Sequence, residues 1–237
     1  MRALTVALIL LVAAPALAQT ETVSRPAELR VPLTLSIDTE RQWHLDDSYR
    51  LFGTRRSELG GGLSAALEVK RFGRGRLDLG AGVQWSGDSA TWEQDNDAHR
   101  ELMTPSVGAT LRWAAHRWFE PHLRVAGDLT RAMLRVQMAD GAGYEDKHWV
   151  PGASAGAGFR LRTKAIATAL GGGKFGFAGA FIVEGGFHVG PPLSFELHRQ
   201  APADEKLAAD QIPAASISVG GLGRTEPYLR ISFALLL

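Results

Sequence analysis

Residues 228–237 read Tyr-Leu-Arg-Ile-Ser-Phe-Ala-Leu-Leu-Leu. In an extended chain successive side chains point to opposite faces. Leu229, Ile231, Phe233, Leu235 and Leu237 therefore share one side, and Arg230 and Ser232 take the other. One face is apolar throughout while the opposite face carries a charge. A closing strand of this kind, with no polar tail, suits a barrel whose last strand pairs with its first.

The same period of two recurs along the chain. Leu29, Val31, Leu33, Leu35 and Ile37 alternate with Arg30, Thr34, Ser36 and Asp38. Leu63, Ala65, Leu67 and Val69 alternate with Ser64, Glu68 and Lys70, and after the tight turn Phe72-Gly73-Arg74-Gly75 the run from Leu77 to Trp85 opposes Asp78, Gly80, Gly82 and Gln84. Further runs span Ser106–Trp113, His122–Leu129, Ala153–Arg162 and Phe177–Glu184, the last interrupted by Ile182. With the closing strand they make eight. Counting Pro192–Leu197 and Ser216–Val219 as separate strands would make ten; eight, with the final pair extended above a membrane, is the preferred reading.

A soluble barrel or sandwich would turn the apolar face inward, and a membrane barrel would turn it to lipid. Three features favour lipid. The polar face mixes charges with Gly, Ser, Ala and Thr, which suits a crowded interior. The apolar face includes Ala153, Ala155 and Ala157, which would underfill a soluble core. Trp43, Trp85, Trp113, Trp118 and Trp149 fall at or near expected strand ends, where indoles would sit at the membrane interface. The fold expected is all-β, an antiparallel up-and-down transmembrane barrel over residues 29–237.

The beginning of the chain fits export. Arg2, an apolar run from Ala3 to Ala14 and Ala16-Leu17-Ala18 have the form of a signal peptide, with cleavage expected after Ala18 and a short periplasmic segment at 19–28. With 0 cysteines there is no disulfide framework and nothing to acylate. A net charge of +1 shows no basic excess for nucleic acid. The longer connections, His44–Glu58, Gly87–Met103, Met138–Trp149 and Gly190–Ala215, would lie outside the cell; the shorter Gly73–Gly75 and Ala114–Glu120, and the Gly-rich Thr163–Lys174, would lie in the periplasm.

From the leader, the eight alternating runs and the closing strand Tyr228–Leu237, the chain resembles the small eight-stranded outer-membrane β-barrel proteins of Gram-negative bacteria, the group related to the membrane domain of OmpA and to OmpX and OmpW. The resemblance covers Leu29–Leu237. It implies a monomer in the outer membrane, in contact with lipid and lipopolysaccharide and assembled by the barrel-assembly machinery through its last strand. One departure is that the family's closing strand usually ends in Phe or Trp, whereas here Phe233 is the last aromatic and Leu237 the last residue.

Eight strands leave a lumen that side chains can fill. The inward charges expected are Arg30, Asp38, Glu40, Glu68, Lys70, Asp78, Arg112, Arg124, Asp128, Arg160, Arg162, Glu184 and Arg230. Buried at such density they must pair, which points to a structural network plugging the barrel; a narrow channel or small-molecule carrier is the alternative. A lipid-modifying enzyme comes third. Lipid A deacylases place His and Ser two apart on one strand face, and no His-x-Ser occurs here. His188, Glu184 and Ser194 are the nearest approach to a nucleophile with its base. His116 and His122, flanking an expected turn, are too few for zinc and read as solvated. The acidic stretch Glu93, Asp95, Asn96 and Asp97 does not match a calcium loop, and Arg55, Arg56, Lys147 and His148 could meet lipid phosphates. No catalytic residue, cofactor or metal is expected.

Overall fold

The computed structural model describes residues 32–45, 57–92, 96–139, 142–163, 166–170, 173–200 and 216–237. The expected leader, Arg30, Arg55, Arg56, Glu93, Asp95 and most of the loop after Gln200 lie outside them. Among the described residues eleven strands follow one another: β1 (Leu33–Trp43), β2 (Ser57–Phe72), β3 (Gly75–Trp92), β4 (Asn96–Trp113), β5 (Phe119–Gln137), β6 (Gly143–Arg162), β7 (Ile166–Leu170), β8 (Gly173–Val189), β9 (Leu193–Gln200), β10 (Ser216–Leu222) and β11 (Glu226–Leu236).

Eight of them form a closed antiparallel ring, β1-β2-β3-β4-β5-β6-β8-β11 and back to β1. The seam runs from Thr34↔Leu236 to Gln42↔Tyr228. β9 and β10 are continuations of β8 and β11 rather than extra staves. β6 pairs with β8 through Ala153↔Val189 and farther out with β9 through Gly143↔Gln200. The ladder slips at Gly190-Pro191-Pro192, where two residues lack an N–H to donate. The structure is thus an eight-stranded barrel whose last hairpin rises above it. The expected inner connection Thr163–Lys174 contains β7 and the start of β8, which pair as a small hairpin, Ile166↔Phe177 to Leu170↔Gly173.

Burial establishes which solvent the barrel meets. On β5, Leu123, Val125 and Leu129 are 44–60% exposed, while His122 and Asp128 on the other face are buried. Ile37, Leu63, Val107, Phe187, Ile231 and Phe233 are likewise exposed, and Asp38, Asp78, Arg112, Glu184 and Arg230 are buried. An apolar outside around a charged inside is stable only where the outside faces lipid. Replacing Val125, mid-band, with arginine is expected to destabilise the barrel in vesicles by about 2–4 kcal/mol; a neutral result in urea titrations would mean that this face does not contact hydrocarbon.

The strands are longer than the alternation suggests. β3–β6 have 18–20 residues each, so the second and third outer connections shrink to 93–95 and 138–142. Their outer halves keep the two-residue period but exchange solvents. On β5 the outward positions become Arg131, Met133, Arg135 and Gln137, and the inward ones Ala132, Leu134 and Val136. Together with Ala98, Leu102, Tyr144, Val150, Leu193, Phe195 and Leu197 they form an apolar core. A soluble-type β layer therefore stands on a membrane-type barrel, built from the same strands. Trp85 and Trp149 lie within β3 and β6, at the height where polarity reverses, not at strand ends as expected. Trp43 and Trp113 do end β1 and β4, and Trp118 lies in the turn before β5.

Candidate functional site

The lumen is the place where this fold concentrates chemistry. Its centre is built around Arg230 of β11. Arg230 donates from Nε to Glu40 at 2.8 Å and from Nη1 to Glu184 at 3.3 Å, joining β1 to β8. Glu40 also accepts from His188 at 2.9 Å, Gln42 at 2.7 Å and Gln84 at 2.8 Å. Glu184 accepts from the Tyr228 hydroxyl at 2.8 Å and His122 Nε2 at 3.1 Å, with Arg124 3.5 Å away. The Tyr228 ring packs on His188 and under the Arg230 guanidinium. The opposing strand accommodates this bulk with glycine: a Cβ on Gly156 would strike the Tyr228 hydroxyl and press on Glu184.

A second cluster lies toward the inner mouth. Arg112 grips Asp78 with two hydrogen bonds, at 2.5 and 2.6 Å, and reaches Glu120 at 2.8 Å and Glu68 at 3.3 Å. Arg162 reaches Glu120 at 3.1 Å. Paired fork geometry of this kind is the strongest form of charge-assisted contact. Between the clusters Asp38 accepts from Ser64 at 2.8 Å, and Ser64 touches Ser36 at 2.6 Å.

A third group stands at the outer end, above Trp43, Leu59 and Leu229. His44 bonds Glu226 at 2.8 Å and lies 3.5 Å from Glu58, which also pairs with Arg100. Burial alone would lower the His44 pKa, but the hydrogen bonds to Glu226 and Glu58 outweigh it and raise the value above the usual histidine range. Burial would raise Glu58, yet the His44 hydrogen bond and the Arg100 charge hold it below the ordinary carboxylate range. Nearby, Arg224 donates to Thr130 at 2.7 Å and to Asp128 at 3.3 Å.

Of the expected inward charges, Asp38, Glu40, Asp78, Arg112, Asp128, Arg160, Glu184 and Arg230 are buried; Glu68, Arg124 and Arg162 are partly so. Lys70 is exposed. The β2–β3 register slips between Glu68 and Lys70, and this bulge turns Lys70 off the inner face near the rim. His122, read as solvated, is buried on Glu184, because β5 begins at Phe119 and carries the inward parity down to Glu120 and His122. His116 is exposed beside Trp118. His188, Glu184 and Ser194 do not assemble: His188 bonds Glu40, Glu184 bonds other partners, and Ser194 faces out. Sequence reading also missed Glu120, Tyr228, Arg224, Glu226 and the His44 group; the parity of β5 and β11 marks Glu120, Tyr228 and Glu226 as inward. Among the described residues no group of three or more His, Cys, Asp or Glu is arranged to hold a metal.

No protein-family model matches the chain, and no curated protein matches it. Solved structures do. Neisserial surface protein A is 7% identical over 87% of this chain and 96% of its own, with a TM-score of 0.48. Ail, the attachment invasion locus protein of Yersinia pestis, in complex with the heparin analogue sucrose octasulfate, is 8% identical over 88% of this chain and 100% of its own, with a TM-score of 0.45. The outer membrane protease OmpT of Escherichia coli is 12% identical over 92% and 99%, with a TM-score of 0.44. The strand ring and the inverted burial establish the barrel independently of these likenesses.

Proposed function

We propose that this protein is a closed, monomeric barrel of the Gram-negative outer membrane with a structural and surface-interaction role. The observation that supports the reading is how the lumen is filled: Arg230 and Arg112 tie inward carboxylates of neighbouring strands into buried clusters, and Leu134, Leu193, Phe195 and Leu197, each at most 2% exposed, pack together toward its outer end. A conduit needs a continuous wetted path, and a packed apolar layer above paired charges opposes one. Arg131, Arg135 and Lys147, outward-facing and above the apolar band, offer cations to lipopolysaccharide phosphates. The outermost strand surfaces are the natural place for contact with other molecules.

Planar-bilayer recording of the refolded protein tests the reading. Flat traces are expected, together with heat-dependent migration on gels that reports an intact barrel. Steady unitary currents from protein with that migration would overturn the plug and establish the narrow-channel alternative.

A further inference from the structure

Among the described residues of the barrel wall, Arg160 is a buried cation without a carboxylate partner. It is 6% exposed, yet its Nε has no hydrogen-bond partner and no carboxylate of the described residues comes within ion-pair distance. A guanidinium so placed is costly unless something compensates it. Its neighbours are committed elsewhere: Asp78 to Arg112, and Glu120 to Arg112 and Arg162. Arg160 borders both a lumen cavity of about 100 Å³ and an inner-mouth cavity of about 210 Å³. Arg76, Arg112 and Arg162 also line the latter, with Glu68 as the one acidic residue among its described wall residues, together with Pro32, Leu33, Ala178 and Leu237.

We propose that the inner mouth of the barrel is a binding site for a phosphate group, held by Arg160 with Arg162 and Arg76. Guanidinium forks match phosphate oxygens, and phosphate can accept from several at once where a carboxylate has a single plane to offer. The strands supply the convergence: Arg160 and Arg162 are two apart on the inner face of β6, and Arg76 opposes Arg112 across the β3–β4 ladder. The room exceeds what a single water requires. The phosphate could be free in the periplasm or be the headgroup of an inner-leaflet phospholipid.

The test uses the full barrel in a nonionic, phosphate-free detergent at constant ionic strength. Inorganic phosphate is titrated in one arm and a short-chain phosphatidylglycerol in the other, with chloride as reference; calorimetry and the thermal midpoint are read. Saturable binding is expected, weakened roughly 10- to 100-fold in Arg160→Gln. That variant removes an uncompensated charge and is expected to fold at least as well as the parent without phosphate. Should it fail to fold, Arg162→Gln, which is partly exposed, takes its place. A response to inorganic phosphate assigns the site to the free anion, and a response to the lipid alone assigns it to a headgroup. No saturable response in either arm, a response equalled by chloride, or full binding by the folded variant overturns the proposal.

Discussion

Replacing Arg230 with methionine is expected to destabilise the barrel by about 3–5 kcal/mol, the cost of breaking a buried ion pair from one side. Arg230 is the shared partner of Glu40 and Glu184, and all three are at least nine-tenths buried. Its loss leaves two carboxylates in register on the strands either side of β11, Glu40 with His188, Gln42 and Gln84 as remaining donors and Glu184 with Tyr228, His122 and the more distant Arg124. The Glu40→Gln, Arg230→Met double variant should recover part of the loss, since one orphaned charge then disappears. Urea unfolding in phosphocholine vesicles measures both. Equal destabilisation by the single and double variants would mean that the arginine acts through its packing against Tyr228 and not through its charge.

Phe195→Ala in the outer layer is expected to cost about 3–5 kcal/mol, whereas Phe233→Ala on the closing strand should change stability far less. The two residues are of one type on neighbouring parts of one hairpin, but Phe195 is 1% exposed to protein-external space and Phe233 is 67% exposed. Phe195 is packed in the apolar layer with Leu134, Leu193 and Leu197, and its ring meets His148 at 5.1 Å. Truncating it opens a cavity under water, while truncating Phe233 trades contact with Phe181 for contact with lipid. The Phe195 loss should also be local, appearing as faster proteolysis of the outer hairpin while heat-dependent migration persists. Comparable losses for both variants would contradict the placement of the outer layer above the membrane.

The face of each strand was legible because period two needs only local order: Leu229 to Leu237 against Arg230, or Leu123 to Leu129 against Asp128, can be read residue by residue. Strand length was not. Beyond Leu129 the period persists, but Arg131 and Leu134 reverse the meaning of inside and outside, so a reader expecting one solvent takes the reversal for a loop. The same applies to Trp85 and Trp149, which mark the changeover and not a terminus. Lys70 was misplaced because a single extra residue between paired strands inverts every face beyond it, and nothing in Glu68-Val69-Lys70 announces a bulge. The three-dimensional partners in the lumen, such as His122 with Glu184 or His44 with Glu226, are 62 and 182 residues apart and follow from ring order, which no single run contains.

Ring order also sets a sequence of events. Glu40 and Arg230 are separated by 190 residues and meet only where β1 and β11 join. Pairing of Glu40 with Arg230 and sealing of the seam are consequently one step, whereas Glu184 also has Arg124 and His122 of β5 beside it. Until the final strand docks, any partly formed sheet carries an unquenched charge into a hydrocarbon environment that penalises it. Contacts of such long range are slow to form. The pair therefore ties the charge balance of the lumen to closure of the ring: opening the β1–β11 seam separates Glu40 from Arg230.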